Sequence, residues 1–172
     1  MECCGEIREE HALIEDAAAV AMAMAVLLVQ GREVADEDVG RLVGFGRDFV
    51  DERHYRKEER ALFPALVASA PHPVSIRLRH LRADHAASRP YMERMPRRDA
   101  PEAAAEALAG WSRLMRAHVA EEDEALLPLA ERTLSDEAKR AVVSVFHDVD
   151  ESTPAPVAVG DLVDRYAAVP VG

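Results

Sequence analysis

Aromatic residues are scarce in this chain, at 5% of its 172 residues. A core must therefore be filled by Ala, Leu, Val and Met, which suits closely packed helices. Cysteine is nearly absent: Cys3 and Cys4 stand side by side at what reads as a frayed end. Two adjacent thiols make no disulfide framework, so a reducing compartment is expected. Basic charge is short as well, since 21 Lys and Arg against 32 Asp and Glu leave a formal charge of −11. That balance disfavours nucleic acid and anionic membranes as partners. The longest apolar run, Ala17 to Val29, is 13 residues, short of the ~20 that span a bilayer. It reads as a buried helix. With no N-terminal signal pattern either, the expectation is a cytoplasmic protein. Strand-like alternation is missing throughout, so the chain reads as all-α.

Helical periodicity and breakers divide the chain. A first helix is predicted from about Glu6 to about Gln30, with Gly31 as its stop. The second runs from the acidic start Ala35-Asp36-Glu37-Asp38, whose charge suits a helix N-terminus, to about Ser69. Pro64 should kink it or end its regular part. After the break Ala70-Pro71-His72-Pro73, a third helix spans about Val74 to Met95, and a fourth about Glu102 to Thr133. Ser135 looks like the cap of a fifth helix reaching about Val149, and a short sixth is placed around Asp161–Ala168. The expected architecture is an up-down-up-down four-helix bundle over residues 1–134, with a C-terminal helical extension over 135–172 packed on it. The apolar face of the first helix and the fifth helix each offer a surface for a homodimer.

Two stretches share one wording. His54-x-x-x-Glu58 is followed by Glu59 and by Leu62-x-Pro64. His118-x-x-x-Glu122 is followed by Asp123 and by Leu126-x-Pro128. Gly46 and Gly110 stand at the same offset before each His, positions where close helix packing is the simplest account. Residues four apart share a helix face, so each stretch aims an imidazole and a carboxylate into an apolar stripe. The first and third helices each add an acidic residue followed by His, Glu10-His11 and Asp84-His85. Four imidazoles and two carboxylates then converge in one core. A buried carboxylate needs a partner, and a metal is the economical one.

His11, His54, Glu58, His85, His118 and Glu122, with the Glu-Glu-x-x-Leu-Phe-Pro wording after His54, resemble the hemerythrin-like (HHE cation-binding) family over roughly residues 6 to 134. The resemblance implies a non-haem centre of two iron ions, oxo- or hydroxo-bridged. The four histidines would be terminal ligands, and Glu58 and Glu122 would bridge. On chemical grounds the same donors accept manganese or zinc. Oxygen-carrying members have a further His four residues from the third-helix ligand, where this chain has Leu81 and Arg89. The family likeness therefore implies an exchangeable position open to a small diatomic or peroxide ligand. It points to the members that handle oxygen, nitric oxide or peroxide, or serve iron–sulfur repair. Iron storage or delivery, and a non-catalytic sensor, are the alternatives. No electron donor is legible.

Other polar residues are read more plainly. His80 is placed on the surface, and His72 and His147 are structural or solvated. Glu15 and Arg89, each four after a ligand His, form an ion pair at the bundle end or flank the open position. Tyr55, directly after His54, points about 100° away on a regular helix, whereas Tyr91 is a candidate extra ligand if Pro90 bends the helix. Glu59 and Asp123 face outward or hold a ligand imidazole.

Overall fold

The computed structural model describes residues 3–69, 73–97, 99–155 and 157–170. Among them are six helices and no strand. These are α1 (Cys3–Val29), α2 (36–69), α3 (Pro73–Arg94), α4 (101–133), α5 (Asp136–Ser152) and α6 (Gly160–Tyr166). Gly31 ends α1 with a positive φ of 69°, and the Gly31 and Arg32 amides bond back to the Leu28 and Leu27 carbonyls at 3.0 and 2.9 Å. This Schellman closure needs the left-handed conformation that glycine adopts freely. Ser135 caps α5, its Oγ accepting from the Ala138 amide at 3.2 Å.

Two apolar clusters set the direction of each helix. One gathers the C-terminal half of α1, the first half of α2, Met92 of α3 and Met95 just after it, the first half of α4, and Leu162 and Tyr166 of α6. The other gathers Cys3, Cys4 and Ile7 with the last part of α2, Val74, Leu78 and Leu81 of α3, the last part of α4, and Val142 and Phe146 of α5. Each cluster thus joins opposite halves of α1 and α2, and of α3 and α4. The four helices therefore run up, down, up, down. Between the clusters lies a polar layer.

Helix α1 is long and apolar enough for a membrane span by length and composition alone, but half of that window is buried in the bundle. Its inward face carries Glu10 and His11 beside Ile14, Ala18 and Ala21, which is the pattern of a core helix. The run Ala17–Val29 is only part of it. The cysteines also differ from expectation. They lie in the first turn of α1, at 0% and 1% exposure, because the helix begins three residues earlier than its polar start suggested and packs that turn on α4. Burial and a sulfur contact of 3.9 Å to Cys4 accompany a Cys3 thiol lowered to about 7, chiefly by the Cys4 hydrogen bond.

Pro64, expected to kink its helix or end the regular part, does not end it. Instead α2 and α4 each widen into a π-turn just before their proline, at Glu58–Leu62 and at Glu122–Leu126. The Phe63 amide donates to the Glu58 carbonyl and the Leu127 amide to the Glu122 carbonyl, five residues back. Proline removes one donor and crowds the carbonyl four residues back, and the extra residue of the π-turn accommodates both. Such turns recur at functional sites. Here both begin at a carboxylate of the polar layer.

The paired glycines serve close packing. A Cβ at Gly110 would overlap the Tyr91 ring, and one at Gly46 would overlap the Met92 sulfur. Rigid ring and flexible thioether differ in how they yield. Gly110→Ala should therefore lower stability by about 1–3 kcal/mol and Gly46→Ala by less, both read as the shift in thermal midpoint.

Candidate metal centre

All six proposed ligands meet in the polar layer, each no more than 1% exposed. One ligand atom from each of His11, His54, Glu58 and Glu122 lies within 4.8 Å of the others, and the same holds for Glu58, His85 and His118. Glu58 spans the two groups: Oε1 is 3.3 Å from His54 Nε2 and Oε2 is 3.2 Å from His85 Nε2. Glu122 repeats this across the pseudo-twofold, with Oε2 3.1 Å from His11 Nε2 and Oε1 3.8 Å from His118 Nε2. Each carboxylate therefore faces one imidazole on either side, and Glu58 is common to both groups that could hold a metal.

The donor set fits a metal and little else. His54 Nε2, both oxygens of Glu58, His85 Nε2, His118 Nε2 and Glu122 Oε1 are buried with no hydrogen-bond partner. Orphaned groups of this kind are rare in folded proteins. Burial raises the Glu58 carboxyl well above its ordinary value, and the adjacent Glu122 charge raises it further. Without a cation the two carboxylates cannot both stay ionised. Burial also lowers His54, and it lowers His85 to about 2 with help from His118. Neutral imidazoles are the form that binds a metal. His11 moves upward, because Glu122 and Asp123 outweigh its burial.

The outer nitrogens form a ring of their own. Glu10 on α1 takes His54 Nδ1–H at 2.8 Å, and Glu59 on α2 takes that of His85 at 2.6 Å. Asp84 on α3 lies 3.6 Å from His118 Nδ1, and Asp123 on α4 takes His11 Nδ1–H at 2.8 Å. Three helices thus hand a hydrogen-bonding acid to the next helix's histidine, whereas Asp84 only approaches His118, whose Nδ1 has no hydrogen-bond partner. At His11, His54 and His85 such a partner fixes tautomer and ring orientation, leaving the Nε2 lone pair aimed inward.

Some expectations need correction. Arg89 pairs with Asp51 at 2.8 Å rather than with Glu15, which is exposed. Glu59 and Asp123 lie partly outside yet still reach ligand histidines. Tyr55 does not point away from the site. Its ring stacks on His85, with centroids 3.7 Å apart and 11° between planes, and sits edge-on to His118. In a bundle interior a 100° turn carries a side chain to the next helix, not to solvent. Tyr91 packs over Gly110. His80 and His147 are exposed, and His72 lies outside the described residues. Lys57, buried beside Glu10, went unread; the signal available was its position directly before Glu58.

A small polar cleft of about 190 Å³ opens beside Tyr55 and Glu59, walled also by Asp51, Arg56 and Arg89. One wall is Tyr55, which stacks on His85. A larger surface groove, about 1540 Å³ between α1, the loop after it and α4, holds none of the six.

A layer of four imidazoles and two carboxylates across a four-helix bundle defines a metal-binding helical protein. The family model of the hemerythrin HHE cation-binding domain matches residues 5–130, and the chain belongs to that family. Comparison with curated proteins and with solved structures gave no match.

Proposed function

We propose that His11, His54, Glu58, His85, His118 and Glu122 hold two non-haem iron ions, and that the protein reacts with or senses oxygen, nitric oxide or peroxide, in the cytoplasm. The observation that supports this best is the set of buried donor atoms without partners, arranged as two bridging carboxylates between two histidine pairs. Bound there, two iron ions would supply electron exchange and a position for a small ligand. The chain's own residues prepare that position. Burial keeps His54 and His85 neutral, outer acids hold the rings of His11, His54 and His85, and Tyr55 stacks over the His85 side. His11, His54, Glu58 and Glu122 would hold one ion, and His85 and His118 with Glu58 the other.

Metal analysis of the purified protein, with optical spectra before and after peroxide, nitric oxide and oxygen, tests the reading. Two irons per chain and turnover abolished in His118→Ala are expected. Stoichiometric, reversible spectral change without turnover would make the protein a sensor. Iron readily stripped by a weak chelator would make it a store or carrier.

A further inference from the structure

The outer acids differ in how their charge is solvated. Asp84, Asp123 and Glu59 have side chains 32–41% exposed, so water solvates their charge. Glu10 is only 11% exposed at its side chain, and its Oε1 accepts instead from Lys57 Nζ at 2.6 Å. Lys57 is itself 2% exposed and donates onward to Asp150 Oδ2 at 2.9 Å. Asp150 belongs to α5, outside the four-helix bundle, and Arg53 approaches its other oxygen at 3.3 Å. An interior ammonium is costly unless paired, and here two carboxylates pair it. The result is a chain of contacts from α5 through Lys57 and Glu10 to His54, with no counterpart at His11, His85 or His118 among the described residues.

We propose that Lys57, held by Asp150, is a positioning residue that ties metal retention in the His11–His54 half of the site to the C-terminal helix α5, while the His85–His118 half stands free of it. This rests on the ligand assignment above. Glu10 is the anchor of the His54 ring. Without the ammonium its charge would be left desolvated, and the carboxylate would swing toward water and release the imidazole. Glu59 needs no such support for His85. The two halves, alike in their inner donors, are thus unlike in what steadies them, and α5 is the part of the fold able to tune one and not the other.

Cobalt(II) titration of the full-length, metal-stripped protein against a competing chelator tests this. Asp150→Asn and Lys57→Gln should each weaken one of two cobalt equivalents about 10-fold, the lower end of the range for lost outer partners, and leave the other unchanged. Asp150→Asn should add nothing in a His54→Ala background and keep its full effect in a His85→Ala background. Equal weakening of both equivalents, no weakening, or the reverse dependence on background would overturn the inference. Asp150 is partly exposed, so should Lys57→Gln fail to fold by circular dichroism, Asp150→Asn alone decides. A wild-type protein that binds no cobalt would overturn the ligand assignment itself, and with it this inference.

Discussion

Glu58→Gln is expected to move the stability of the metal-loaded and metal-stripped protein in opposite directions. With metal, the variant loses the anionic oxygens that face His54 on one side and His85 on the other. Metal retention should fall at least about 100-fold, beyond the 10–100-fold typical of an outer partner. Stripped of metal, the native site holds two carboxylates in one dry layer, with Glu58 driven toward its protonated form by burial and by Glu122. Glutamine keeps the shape and removes the conflict. A gain of about 1–3 kcal/mol, the scale of an unsatisfied buried polar group, would raise the midpoint by roughly 2–12 °C for a domain of this size. Differential scanning calorimetry with and without chelator reads both signs. A stripped variant melting below the stripped wild type would show that Glu58 serves the apo fold and not a cation.

Chelation of the wild type should lower its midpoint by roughly 15–30 °C. An ion at a thousand times its dissociation constant contributes about 4 kcal/mol, and two ions about 8, at roughly 2–4 °C per kcal/mol. The stripped protein should also show a maximum of stability near pH 6.5. His54 and His85 have depressed values when folded, so below about pH 6.5 the unfolded chain binds two protons that the folded one refuses. Glu58 is raised and acts oppositely: above about pH 4.5 the folded state keeps a proton that the unfolded state gives up. One uncompensated proton remains between these values. Stability should therefore decline on acidification by up to about 1.4 kcal/mol per pH unit. Above pH 6.5 the histidines no longer contribute, while Glu58 and the raised His11 reverse the slope. Chemical denaturation of the stripped protein across pH 4.5–8 measures this. A flat profile would mean that these groups are not buried in solution as they are here.

The inner site was legible because it is written twice. One His-x-x-x-Glu is common, but a second copy with the same Gly, Leu and Pro offsets forces both onto equivalent helix faces, and geometry does the rest. Helix ends were legible where a local cause acts, as at Gly31 and Ser135. Tyr55 was misplaced because helix angle was mistaken for exposure, although in a bundle two adjoining faces are both interior. The outer acids stand next to ligands in sequence, yet which histidine each serves depends on the order of helices around the bundle. Lys57 could not be assigned without α5, whose Asp150 lies 93 residues away. For Pro64 the expectation was a kink or an end to regular helix, because the π-turn that absorbs it leaves no mark beyond the repeat itself.

The separation of the interior into two apolar clusters has a consequence for motion. Each cluster draws on all four bundle helices and is apolar, while the belt between them is held chiefly by charge and imidazole. Cation loss therefore weakens the waist of the molecule and spares both ends. Amide protons in the turns around His54, His85 and His118 should then exchange with deuterium well ahead of those flanking Trp111 or Phe146, and ion occupancy would govern how far the upper and lower bodies of the bundle rock against each other.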